Sequence, residues 1–126
     1  MEPAAVCDLI ERYNAAWNAQ DLDAIDELHD PDIVFENHTA DERAEGAEAV
    51  REHIARIFSN NPTLRFTARS LHAGDDFAVC EWTASTGSKE WDGIDVFPLR
   101  NGRILRKDVY SSSHRARDVC AASRER

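Results

Sequence analysis

The chain has 126 residues, 42% apolar and 31% charged, which suits one globular domain and leaves no room for a second. Fifteen Lys and Arg against 24 Asp and Glu give a net charge of -9, so the basic face that a nucleic-acid backbone demands is missing. No apolar run approaches the ~20 residues of a membrane span, and the first residues lack a charged-then-apolar secretory pattern. The three cysteines, Cys7, Cys80 and Cys120, share no metal-ligand spacing and cannot all pair. Reduced thiols in a cytoplasmic protein are expected.

Val6, Leu9, Ile10, Tyr13 and Trp17 recur at three- and four-residue steps, which predicts an amphipathic first helix. Asp21 is a suitable N-cap for a short second helix carrying Leu22, Ile25 and Leu28, which Pro31 stops. Ile33-Val34-Phe35 predicts a strand entering the polar Glu36-Asn37-His38-Thr39, and residues 40–46 predict a charged loop. Val50, Ile54, Ile57 and Phe58 mark a third helix that ends in Asn60-Asn61-Pro62.

From there the period changes, and residues 64–71, 77–84, 91–99 and 104–112 read as four strands. Their breaks are Gly74-Asp75-Asp76, Thr86-Gly87-Ser88 and Arg100-Asn101-Gly102, with Asn-Gly the strongest hairpin signal. Residues 1–113 thus form one domain, followed by a polar, Arg-rich tail over 114–126. Helices segregated before antiparallel strands indicate an α+β fold, a curved, mostly antiparallel sheet wrapped around a long helix with two further N-terminal helices. The interior of such a cone suits a small ligand.

Tyr13, Asp21-Leu22-Asp23-Ala24-Ile25, Phe35-Glu36-Asn37, Gly46, Trp91-Asp92-Gly93-Ile94-Asp95-Val96-Phe97 and Asn101-Gly102-Arg103-Ile104 carry a family resemblance. Over about residues 5 to 113 the chain resembles the nuclear transport factor 2-like superfamily, closest to its SnoaL-like, polyketide cyclase-like branch. The resemblance implies a cone-shaped α+β barrel, usually dimeric, with a pocket inside. It does not fix the chemistry, because the superfamily mixes enzymes with binding modules. Against ketosteroid isomerase, Tyr13 and Asp95 fall on the two oxyanion donors, and Asn37 stands in the base position. Against limonene epoxide hydrolase, Asn37 matches, but Phe35, Phe77 and Val79 replace its Tyr, Arg and Asp. Scytalone dehydratase has a Tyr-Asp pair on its first helix where this chain has Tyr13-Asn14. Many relatives carry an Asp two residues after the equivalent of Tyr110, where Ser112 stands here.

Strand alternation gives a separate handle on the same region. If Asp95 faces inward, Trp91, Gly93 and Phe97 share its face, with Ile94 and Val96 outside. On the neighbouring strand Phe77, Val79, Glu81 and Thr83 are expected inside, and Cys80 and Trp82 outside. An outer face apolar around Cys80, Trp82, Ile94 and Val96 needs a cover, and in this superfamily a partner subunit supplies it. A homodimer through the outer sheet face is therefore expected.

An inward carboxyl is desolvated, which favours its neutral form and would make Asp95 a proton donor or a base. The alternative is an Asp paired with a nearby Arg, Lys or Tyr. Tyr13 is either an oxyanion donor or a core aromatic with a satisfied hydroxyl. Asn37 could orient a water or carbonyl, or cap the strand end. His38 could act as a general base near pH 7, or be a solvated loop histidine. Which of Lys107 and Asp108 faces inward depends on a single bulge in the last strand. Glu36 and His38, with His29 or His53, lack a persuasive ligand spacing, so no metal is expected, and no phosphate loop is present.

The reading reached is a cofactor-free isomerase, cyclase or dehydratase acting by proton transfer on a hydrophobic, oxygenated small molecule. Asp95 or His38 would move the proton, and Tyr13 with Asn37 would stabilise the oxyanion. Trp17, Phe35, Ile54, Phe58, Phe77 and Phe97 would wall the pocket, with Glu81 as a further polar group. The other reading is a non-catalytic ligand-binding or dimerisation module of the same fold. Neither involves nucleic acid or a membrane.

Overall fold

Helix α1, Pro3–Asn18, buries Val6, Leu9, Ile10, Tyr13, Ala16 and Trp17 along one face, as their spacing requires. The computed structural model describes residues 1–112 and the backbone of residues 117 and 118. Asp21 caps α2, Leu22–Leu28, by accepting a hydrogen bond from the Ala24 N–H at 3.1 Å. Strands β1, His29–Asn37, and β2, Glu42–Glu45, come next. Helix α3, Ala47–Asn60, presents Val50, Ile54 and Phe58 to the core. Four long strands complete the domain: β3, Arg65–Ala73, β4, Phe77–Thr86, β5, Lys89–Arg100, and β6, Arg103–Ser111. A two-residue strand, β7, Arg117–Asp118, pairs with the start of β5. The rest of the tail, with Cys120, lies outside the described residues, and Cys7 and Cys80 are free thiols.

The strands form one open, mixed sheet in the order β2-β1-β6-β5-β4-β3. Every neighbouring pair on this path is antiparallel except β1 and β6, which run parallel. The side chain of Asn18 ties the end of α1 to β3: its Nδ2 donates to the Phe66 carbonyl at 2.9 Å, and its Oδ1 accepts from the Phe66 N–H at 2.8 Å. At the start of β1, Arg100 from the end of β5 holds Asp30 through two hydrogen bonds of 2.6 and 3.1 Å.

Two expectations are corrected here. Residues 42–45 form strand β2 rather than loop, because Phe35, Glu36 and Asn37 find antiparallel partners in Ala44, Arg43 and Glu42. Strand β4 also has the opposite facing. Cys80 lies directly across from Asp95 and Trp82 across from Gly93, and directly opposed residues share a face. Ala78, Cys80, Trp82 and Ala84 therefore point inward, while Phe77, Val79, Glu81 and Thr83 point outward. Trp82 fits there because Gly93 is bare: a Cβ on Gly93 would meet the indole ring at 2.2 Å.

A β-bulge shapes β6. Asn101 and Gly102 both have positive φ, closing a two-residue turn between Arg100 and Arg103 that pairs Leu99 with Ile104. By Val96 the register has slipped one place, to Asp108. Lys107 consequently faces inward beside Val109, and Asp108 faces outward.

Polar groups also enter the core between α1 and β1. The fully buried Tyr13 hydroxyl and the His29 ring share a hydrogen bond of 2.8 Å. Burial pushes the Tyr13 hydroxyl well above its ordinary value, against the opposing Trp17 indole N–H. That indole N–H itself stops short of hydrogen-bond geometry. His29 is lowered to about 4, first by burial and then by the positive charge of Lys107. The folded protein thus refuses a proton that its unfolded form accepts near the ordinary value of 6.5. Stability is complete above that value and falls as the pH drops from 6.5 towards 4, by on the order of 3 kcal/mol. Urea unfolding across this window should show the decline, and His29→Gln should flatten it.

Candidate functional site

A cavity of about 230 Å³ lies between the concave face of the sheet and the ends of α1 and α3. Its walls are aromatic and aliphatic, with Trp17 from α1, Phe35 from β1, Ile57 from α3 and Leu64 before β3. Phe66, Trp82, Trp91 and Val109 from the sheet complete them. Asn37, Glu42, Asn61, Asp95 and Lys107 are its polar lining. Gln20, with φ at 53°, donates from Nε2 to the Asn61 carbonyl at 3.0 Å, which joins the α1–α2 corner to this rim.

At the polar end, Lys107 Nζ donates to Asp95 Oδ2 at 2.8 Å, and both side chains are nearly inaccessible. The ammonium also lies 4.7 Å from the Trp17 ring centroid and 5.1 to 5.8 Å from those of Phe97, Tyr13 and Phe35. These ring faces supply some of the negative potential that water would otherwise provide. The second carboxylate oxygen, Asp95 Oδ1, is buried without a hydrogen-bond partner among the described residues. Trp82 Nε1 is likewise buried and without a partner among them.

Of the residues singled out from sequence, Trp17, Phe35, Asn37 and Asp95 reach the cavity. The buried carboxyl pictured in isolation is half of an ion pair, which is the bland alternative the sequence allowed. Asn37 also caps its turn, its Oδ1 accepting from the Ala40 N–H at 3.0 Å. Tyr13 lies behind the cavity in the core, where the His29 ring occupies its hydroxyl. Ile54, Phe58 and Phe97 are buried in the core and do not line it.

Phe77 and Glu81 are corrected outright. They belong to the outward phase of β4, where Phe77 is 46% exposed with its ring over Gly74, and Glu81 accepts a hydrogen bond from Ser70 at 2.7 Å. His38 is also outside. It follows the outward Glu36 across the end of β1, stacks on Tyr110 at 4.5 Å and contacts Asp108 at 2.8 Å. Glu36, His38 and Asp108 come together there at a spacing that could hold a cation. Arg106 already fills that role, bonding both Asp108 oxygens at 2.7 and 3.1 Å and Glu36 at 3.0 Å, with Arg43 on Glu36 at 2.8 Å. Burial raises the Asp108 carboxyl, but Arg106 and His38 outweigh it and hold it below its ordinary value. This cluster is a self-neutralised patch of the outer face.

Sequence reasoning left Lys107 undecided and missed Ile57, Leu64, Phe66, Trp82 and Trp91 as lining. The signal for Trp82 lies in the turn after Thr86, where a two-residue loop dictates which residues of β4 and β5 stand opposite.

The ion pair has a measurable signature. Lys107→Met leaves a buried carboxylate uncompensated and should cost about 3–5 kcal/mol in urea unfolding. Adding Asp95→Asn to Lys107→Met should restore most of that loss, since no unpaired charge then remains. Equal losses in the single and double variants would mean that packing, not charge, sets the cost.

With this geometry in place, known proteins give the lineage. The model of the SnoaL-like domain matches residues 10–107. A candidate ketosteroid isomerase from Kribbella flavida shares 16% identity at a TM-score of 0.79, covering 90% of this chain and 82% of that one. A SnoaL-like protein of unknown function from Burkholderia thailandensis shares 20% at a TM-score of 0.79, covering 90% and 99%. A candidate hydroxylase from Streptomyces galilaeus shares 18% at a TM-score of 0.73, covering 87% and 80%. No curated protein matches the chain. At these identities the structures share the fold, and no helix of the described residues is long and apolar enough to cross a membrane. With the family model spanning most of its length, the chain belongs to the SnoaL-like domain family of the nuclear transport factor 2-like superfamily.

Proposed function

We propose that the cavity binds a small, largely apolar, oxygenated molecule and catalyses a cofactor-free proton transfer on it, in an isomerisation, cyclisation or dehydration. The observation that carries this reading is the buried, unpartnered Oδ1 of Asp95, a residue that lines a largely apolar cavity large enough for a ligand. Asp95 takes up the proton, and Lys107 provides the positive charge that stabilises an enolate-like oxygen as it forms. The isomerase-like role of Tyr13 is replaced, because its hydroxyl is spent on His29 behind the cavity wall. A purely ligand-binding role is the second reading, favoured by that same loss of Tyr13 from the cavity. We also propose a homodimer through the outer sheet face. Phe77, Ile94 and Tyr110 are its exposed apolar residues, and the inward Trp82 takes no part in it.

Deuterium incorporation next to the carbonyl of cyclohexanone, 2-cyclohexenone and 1-indanone in D₂O tests the catalytic reading without a known substrate. The protein should accelerate exchange over buffer, and Asp95→Asn should lower the acceleration by about 10²-fold or more. No acceleration with any of the three leaves the binding role alone. For the dimer, Ile94→Glu should convert the protein to monomers in light scattering, and a monomeric wild type would refute the interface.

A further inference from the structure

A second, smaller space adjoins the cavity and is shaped largely by the same residues. It measures about 20 Å³ and shares Trp17, Phe66, Trp82, Asp95 and Lys107 with the main cavity, with Asn14 and Ala68 as its other lining residues. That volume admits one water-sized group and nothing larger. Trp82 is 5% exposed and Asp95 3%, and the polar atoms of each lacking a partner are a donor, Nε1, and an acceptor, Oδ1.

The chemistry of these two atoms restricts what can fill the space. A buried N–H and a buried carboxylate oxygen each lose free energy when left unpaired. A carbonyl or ether oxygen would satisfy Trp82 and leave Asp95 unmet. A carboxylate or phosphate would be repelled by Asp95. An ammonium would serve Asp95 and leave the indole unpaired. An O–H group does both, accepting from Trp82 Nε1 and donating to Asp95 Oδ1: a water does so when no ligand is bound, and a ligand hydroxyl is the group that can take the water's place with both bonds kept. The charges agree, because Lys107 and Asp95 neutralise one another and the pocket end asks for a neutral group.

We infer that the side pocket is a hydroxyl-recognition subsite, with Trp82 and Asp95 as its donor and acceptor, and that the ligand is a neutral alcohol, phenol or enol. This rests on Asp95 Oδ1 facing the ligand, as in the functional reading, but it is a statement about binding and does not require turnover. Trp82 is then the residue that sets specificity, and Gly93 is what lets its ring lie there.

Four probes of one shape test this: p-cresol, 4-methylanisole, p-toluate and p-xylene, titrated by NMR against the protein. The expected result is p-cresol binding at least tenfold tighter than each of the others. Trp82→Phe keeps a ring but removes the N–H, and it should erase most of that preference, read as the ratio of p-cresol to p-xylene affinity within the same variant. Equal affinities for p-cresol and 4-methylanisole, or tightest binding of p-toluate, would overturn the subsite. If the variant fails to fold, a crystal structure of the wild-type protein with p-cresol decides. The hydroxyl oxygen should stand within about 3.2 Å of both Trp82 Nε1 and Asp95 Oδ1, and a water in that place with the ring elsewhere would refute the assignment. A hydroxyl preference without deuterium exchange refutes catalysis and keeps the subsite. Exchange without a hydroxyl preference does the reverse.

Discussion

The interior of this domain is organised around one ion pair, Asp95 with Lys107, placed on neighbouring strands by a one-residue slip. Taking two charges out of water is costly, and only close pairing with further favourable contacts offsets it. Here the bond is 2.8 Å and four aromatic rings surround the ammonium. Without the bulge in β6, Asp108 would take the inward place and set a second carboxylate near Asp95. With it, Asp108 turns outward to Arg106 and His38. A single extra residue therefore sorts the charges of both faces, and the cavity's polar end exists because of that sorting.

Tyr13 and His29 show how a polar side chain can be spent on the core rather than on a cavity. The tyrosine stands on the first helix, where the resemblance to ketosteroid isomerase implies an oxyanion donor. Its hydroxyl, however, meets a buried histidine instead of a ligand. Burial makes both groups hold their neutral forms, so the pair is a structural hydrogen bond linking α1 to the start of β1. Trp17, which touches the Tyr13 ring, lines the cavity with Phe35, whereas Tyr13 does not.

The helices were legible in the sequence because their apolar residues are unambiguous at a 3.6-residue period, and Asp21, Pro31 and Pro62 punctuate them. Strand β4 was not, because Phe77 and Val79 offer one apolar face while Ala78, Cys80, Trp82 and Ala84 offer another. Hydrophobicity alone cannot choose between two such phases. The Thr86-Gly87-Ser88-Lys89 turn could have: counting back six residues on each side brings Cys80 opposite Asp95. Strand β2 was hidden by its charge, since Glu42 to Glu45 is an exposed edge with little apolar signal. The inward turn of Lys107 depends on the bulge, and no residue type in β6 announces where the extra residue falls.

Trp82 and Gly93 link these levels. Hairpin register places a tryptophan across from the one residue in β5 without a side chain, so a large ring settles where a Cβ would collide with it. Phe66 meets that ring edge-to-face at 5.0 Å, a second contact that restrains its rotation. An indole held in this way cannot swing its N–H to another partner without losing both contacts. The donor is fixed before any ligand arrives, beside a carboxylate fixed equally by Lys107. Recognition of this kind needs no rearrangement at the moment of binding, and its selectivity comes from penalties: a group that serves only one of the two atoms leaves the other buried and unpaired.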